Sequence, residues 1–351
     1  MTSDAAVLTA AEVAQTAEWI ASVQLPSGQI PWYPGGHADP WNHTEAAMAL
    51  AVAGRVEEAE AAYDWLRSTQ LPDGSWCLYY LADGVEEPRR DPNVCAYVAA
   101  GTWWHFLTTG DRPFVDRMWP VVERAVEFVL GLQRPSGEIV WSRDADGVAG
   151  RFALLTANAS IHHSLRCAVA LAAAVGEQRP DWELAAAQVG AAVAHRPSAF
   201  LSKDSWAMDW YYPVLGGALT GERAAERIDG SWNEFVMPGV GVRCVVTNPW
   251  VTAAETAECV MALDAIGRRD QAAELLSWTG HLRDHDGAYW TGCVHPQCVR
   301  YPGGERSTYT SAAVILADHV LSSSAATAGL FRGETLGPAL DLGELETSTD
   351  R

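Results

Sequence analysis

Positive charge is scarce in this chain: 24 Lys and Arg residues stand against 44 Asp and Glu over 351 residues, a formal net charge of −20. A surface this acidic repels phosphate backbones and anionic lipid, which argues against nucleic acid and membrane surfaces as partners. No apolar run is long and charge-free enough at the right place to span a bilayer. The start, MTSDAAVLTAAEVAQTAEW, lacks the basic head and apolar core of a secretion signal. The seven cysteines are odd in number and sit mostly in apolar segments, as Cys167 and Cys259 do. That pattern fits reduced thiols and predicts a cytoplasmic protein. Long period-two alternation is also missing, so strands find little support.

What is present is a repeated junction. Gly54, Gly110, Gly176, Gly221 and Gly267 each end an Ala-rich apolar segment and precede a charged, helix-forming run. Glycine past a helix end takes the left-handed position without a Cβ penalty, and connections this short make the flanking helices antiparallel. Reading outward from these glycines predicts twelve helices. Amphipathic ones fall at about 8–24, 55–70, 113–133, 181–195, 222–235 and 270–283. Nearly charge-free ones fall at about 41–54, 91–109, 156–175, 205–219, 250–267 and 308–322. Helices apolar all round are buried, and amphipathic ones lie outside them. The alternation predicts an all-α fold, an (α/α)6 barrel or toroid of six helical hairpins. It occupies residues 1–322 as a single domain, with 323–351 as a partly disordered tail that Leu330 and Phe331 pin at its start.

Five tight turns at one end leave the long loops at the other, and long loops in compact domains are usually functional. The N-termini of the inner helices point there, with their positive dipole ends. Asp39 and Asp91 read singly as helix caps, each followed by proline. Glu45 and Glu255 sit several residues into inner helices, and Asp209 lies among Trp206, Trp210, Tyr211 and Tyr212. A carboxylate among aromatic rings loses hydration, and its pKa rises toward that of a useful general acid. Asp209, Glu255, Asp39, Glu45 and the loop residue Glu138 are therefore the candidate catalytic groups, with Glu305 in the same pool. Trp41, His43, Tyr97, His162, Trp210, Tyr211, Trp250 and Tyr309 are the candidate substrate-binding residues. Sixteen tryptophans, many of them in the rim loops, predict an aromatic cavity for a small molecule, either sugar-like or isoprenoid-like. Oligomeric state is not readable from these features.

A second repeat joins outer helices to the long loops. It reads AEWIASVQLPSGQIPW from Ala17, YDWLRSTQLPDGSW from Tyr63, EFVLGLQRPSGEIVW from Glu127 and LLSWTGHLRDHDGAYW from Leu275. The copy with Gln70, Gly74 and Trp76 resembles the QW repeat of terpenoid cyclases, which share a helical toroid with protein prenyltransferase β subunits. That resemblance implies acid–base chemistry in an aromatic cavity, with Asp209, Glu255 or Asp39 as proton donor. The Asp-x-Asp-Asp acid of those cyclases is absent. The same turns also resemble six-hairpin glycosidases, which implies a carbohydrate-active enzyme working with a carboxylate pair. A third reading is a ligand-binding barrel without catalysis. No cofactor is called for, although Cys293, His295 and Cys298 offer soft ligands at a spacing zinc tolerates.

Overall fold

The structure is a computed structural model that describes residues 6–340 and 342. Its main elements come in pairs: α1 (Ala10–Val23) with α2 (Pro40–Val52), α3 (Val56–Thr69) with α4 (Pro92–Thr109), and α5 (Arg112–Leu130) with α6 (Leu155–Val175). They continue as α7 (Pro180–His195) with α8 (Ala207–Leu215), α9 (Gly221–Phe235) with α10 (Ala253–Ala265), and α11 (Arg269–Ser277) with α12 (Thr308–Ser322). α2 packs on α4, α4 on α6, α6 on α8, α8 on α10 and α10 on α12, and α12 returns to α2. The even-numbered helices thus close a ring, and the odd-numbered ones pack against its outer side. None of these helices is long and apolar enough to cross a membrane.

Local chemistry sets the ends of the inner helices. Asp39 caps α2 by accepting from the Trp41 and Asn42 amides, and Pro40 opens the helix. Asp91 and Pro92 do the same for α4, which stops at Gly110 in the left-handed region. At the fourth tight turn the expected glycine is displaced. α8 ends at Leu215, earlier than the predicted 219; Gly217 (φ 73°) makes the turn, and Gly221 begins α9. Pro213 inside this short helix shortens what the apolar pattern could sustain. The predicted helix at 270–283 likewise ends at Ser277 and gives way to a 3-10 segment, Trp278–Leu282.

The rim loops contain strands that the sequence reading did not expect. β1 (Tyr79–Leu81) and β2 (Gly84–Glu87) form a hairpin before α4. β3 (Val236–Met237), β4 (Gly241–Arg243), β5 (Trp250–Thr252), β6 (Gly292–Val294) and β7 (Val299–Arg300) form an antiparallel sheet in sequence order. Strands of two to four residues are too short to leave an alternating pattern.

The Gln–Gly turns prove to be ties between outer helices. The Gln24 amide donates to Gly28 O and to Glu58 O on α3, both at 2.9 Å. Gln70 does the same with Gly74 O and Val121 O on α5, and Gln133 with Gly137 O and Ala185 O on α7. The glycine lies so close to the next outer helix that a Cβ on Gly74 would meet Arg124 O at 2.1 Å. In the last copy Arg283 replaces the glutamine and donates to Gln15 Oε1 at 2.7 Å, which ties the α11 side back to α1.

After α12 the chain crosses the tight-turn end. Leu330 is fully buried, and Phe331 stacks on His163 with ring centroids 5.1 Å apart. Arg332 Nη1 donates to Asp264 Oδ2 at 2.5 Å. The part of the expected mobile tail at residues 343–351 lies outside the described residues.

Candidate active site

The long loops enclose a cavity of about 460 Å3 at the N-terminal ends of the inner helices. Six carboxyl groups line it: Asp39 and Glu45 from α2, Asp91 at the head of α4, Asp209 from α8, and Glu255 and Glu258 from α10. Its walls are Trp32, Trp41, Trp141, Trp206 and Trp250 with Tyr79 and Tyr309. Arg89 and Lys203 are the cationic residues in this lining.

The carboxyls differ in how they are held. Asp39 is saturated: Oδ1 accepts from the Trp41 and Asn42 amides, and Oδ2 from Trp32 Nε1 at 2.5 Å and Asn42 Nδ2 at 2.6 Å. Burial raises its pKa, and these donors oppose the rise. Asp91 accepts from the Asn93 amide at 2.9 Å and from Trp141 Nε1 at 3.1 Å. Burial pushes its pKa up to about 6. Asp209 is tethered through Oδ1 alone, to the Thr156 hydroxyl at 2.5 Å and the Thr156 amide at 3.3 Å. Glu255 accepts from the Thr252 hydroxyl at the cap of its own helix. The Cys244 thiol lies nearby, its pKa raised by burial and then by the Glu255 charge.

Glu45 and Glu258 form the floor. Glu258 accepts from the Tyr212 hydroxyl at 2.7 Å and from the Tyr211 hydroxyl. Burial pushes Glu258 up to about 7, against the pull of both phenols. Glu45 is raised well above the carboxylate range by burial, then by the charges of Glu258 and Asp39. Beneath them a space of about 10 Å3 is bounded by Tyr97, Met261 and Phe331.

The structure thus brings Asp209, Glu255, Asp39, Glu45, Trp41, Trp250 and Tyr309 to one cavity, and places Tyr97 and Tyr211 below or behind its floor. Four sequence candidates point elsewhere. His43 accepts from the Ile30 amide and donates to Ala62 O, buried between α2 and α3, with its pKa lowered to about 4 by that burial. His162 faces outward to Ala186 O on α7. Trp210 donates to Arg227 O and stacks on Phe235 at 5.1 Å. Glu138 sits in an outer turn beside Arg134. Each is occupied by a neighbouring helix or turn and is corrected on that ground. Glu305 is turned to the Thr291 hydroxyl and is not in the lining. Glu258 escaped the sequence reading although AETAE puts it three residues after Glu255, on one face of a helix. Asp91 was left to capping, and it both caps α4 and faces the cavity.

The fold of this ring of hairpins is shared with solved glycosidases. A glycosidase variant in complex with glucose shares the fold with a TM-score of 0.70 at 16% identity, over 90% of this chain and 98% of that one. A D-mannose isomerase shares it with a TM-score of 0.65 at 13% identity, over 88% and 96%. No family profile matches the sequence. The chain is, however, 53% identical over 335 residues to the MMP endo-(1,4)-3-O-methyl-alpha-D-mannosidase of Mycolicibacterium hassiacum, covering 95% of this chain and 93% of the relative. The chain belongs to the family of that mannosidase. The terpenoid cyclase and prenyltransferase expectation is corrected accordingly. Its Gln–Gly–Trp signal reports how outer helices are tied, a need any such ring has whatever it binds.

Proposed function

We propose that this chain is an (α/α)6-barrel glycoside hydrolase that cuts α-1,4 linkages within chains of 3-O-methylmannose. The observation that carries the reading is the 53% identity to an endo-mannosidase across nearly the whole chain. The cavity supports it chemically. Glycoside hydrolysis needs one carboxyl that keeps its proton and one that is ionised, on either side of the scissile bond. Asp91 faces the cavity from the head of α4 with its pKa raised to about 6 by burial, which supports it as the proton donor to the leaving oxygen. α4 and α10 stand opposite one another in the ring, which supports Glu255 on the far wall as the base that activates water. The Oδ2 of Asp209, free of the described residues' hydrogen bonds, supports a role for it in binding sugar hydroxyls. A methyl ether replaces a hydroxyl with an apolar group, which suits indole walls better than polar ones.

The test is cleavage of α-1,4 mannose oligosaccharides of equal length, with and without 3-O-methylation, read by mass spectrometry. Internal fragments from the methylated chain, formed faster than from the plain one, are expected. Absence of cleavage, or release of terminal monomer only, overturns the reading.

A further inference from the structure

We propose that His281, Cys293, His295 and Cys298 form a closed four-ligand zinc site that clamps the edge of the rim sheet. One ligand atom from each residue lies within 4.8 Å of all the others. Cys293 Sγ is 3.5 Å from His281 Nε2, and Cys298 Sγ is 3.8 Å from His295 Nε2. Bonds of about 2.3 Å to sulfur and 2.0–2.1 Å to nitrogen set the ligand atoms of tetrahedral zinc roughly 3.3–3.8 Å apart. The two sulfurs, now 3.0 Å apart, need only separate slightly to match.

Three further features point the same way. His281 Nδ1 is 2.7 Å from Trp278 O, so that nitrogen carries the hydrogen and Nε2 presents its lone pair to Cys293. Metal-bound imidazoles are commonly fixed in this manner. Cys298 is the one non-glycine residue in the left-handed region among the described residues (φ 54°), a conformation that costs any side-chain-bearing residue and aims this thiol at its neighbours. His281 is also released from the turn repeat, because Arg283, not His281, takes the tying position there.

Four protein ligands leave no open position, so the site is structural and not hydrolytic. Binding converts both thiols to thiolates and releases two protons, with no change of oxidation state. Its place in the fold gives it a use. Cys293 on β6 pairs with Val251 on β5, the strand that carries Trp250 and Thr252 of the cavity wall. A metal joining the 3-10 segment, β6 and the turn into β7 would fix that wall from behind.

The experiment is metal analysis of untagged, full-length protein purified without chelator, with parallel thiol titration and intact-mass measurement. About one zinc per chain is expected, with two thiols shielded until a chelator is added. Cobalt replacement should give thiolate charge-transfer and tetrahedral ligand-field bands. H281Q and C298S should each lose the metal and lower the melting temperature by several degrees, whereas C77S should retain the metal. The proposal is overturned if wild-type protein dialysed against zinc binds none. It is equally overturned if Cys293 and Cys298 are joined, seen as the loss of two hydrogens in the intact mass. Neither result touches the glycosidase reading, which oligosaccharide cleavage tests separately.

Discussion

Trp141 and Asp91 meet across 50 residues of sequence, the indole Nε1 donating to Oδ2 at 3.1 Å. The indole, with the Asn93 and Val94 amides, opposes the burial that holds the Asp91 proton, so this pair contributes to where the proposed acid titrates. Catalysis that needs protonated Asp91 declines as pH rises through about 6. Removing this donor in W141F leaves burial opposed only by the Asn93 and Val94 amides and the Arg89 charge, and should move that alkaline limb of kcat/KM to higher pH. D91N should lower kcat about 100-fold or more at every pH. A W141F profile that superposes on wild type, or shifts downward, removes Asp91 from the acid role.

Glu255 on the opposite wall is expected to act through water and not by forming a bond to sugar. A base that acts through water needs a wider gap between the two carboxyls than a nucleophile does, and the configuration at C1 then inverts. Proton NMR of the first product, taken before mutarotation, should show the β anomer from an α linkage. E255Q should cost about 100-fold or more in kcat, with smaller effect on KM. Initial α anomer would show Glu255 or another carboxylate attacking directly.

The floor pair should make the fold sensitive to alkali. Glu258 has a folded pKa near 7, above its unfolded value, so its contribution is most favourable at low pH and is lost as pH rises through 7. E258Q removes that charge while leaving an oxygen for the two tyrosines. Its stability relative to wild type should therefore rise between pH 5 and pH 8, by on the order of 2 kcal/mol. Urea midpoints at the two pH values provide the measurement, and a constant difference would show that Glu258 stays protonated throughout.

The outer ties make a prediction about glycines that share a backbone angle. Gly54 and Gly74 have φ of 84° and 87°, yet a Cβ on Gly54 meets nothing within 4 Å and one on Gly74 meets Arg124 O at 2.1 Å. G54A should cost about 1 kcal/mol from conformation alone, and G74A roughly 2–4 kcal/mol because α5 must move as well. Equal losses in urea unfolding would mean that the close approach relaxes without cost.

Much of this fold is legible because a helical ring writes its architecture locally. Apolar periodicity separates inner from outer helices, and turn glycines mark the tight end. The cavity's location followed from loop length, Trp250 from its place at a helix head, Glu255 from its depth in an inner helix, and Asp209 from its aromatic neighbours. What escaped depends on contacts far apart in sequence. His43 looked like a substrate-binding residue until Ile30 and Ala62 took both ring nitrogens. Trp210 sits one residue from Asp209 yet turns to the other side of α8 to meet Phe235. The rim sheet pairs strands from loops on both sides of α10 and α11, which no local pattern announces. The choice between isoprenoid and sugar was out of reach for a different reason: an indole wall serves both.

Phe331 closes the bore below Glu45 and Glu258, where only about 10 Å3 remains. The pit is therefore blind, and no polymer can thread through it. An enzyme built this way that cuts inside a chain must take its substrate as a strand draped over the mouth, dipping a short stretch between the carboxyls. Both halves then depart by the door they came in.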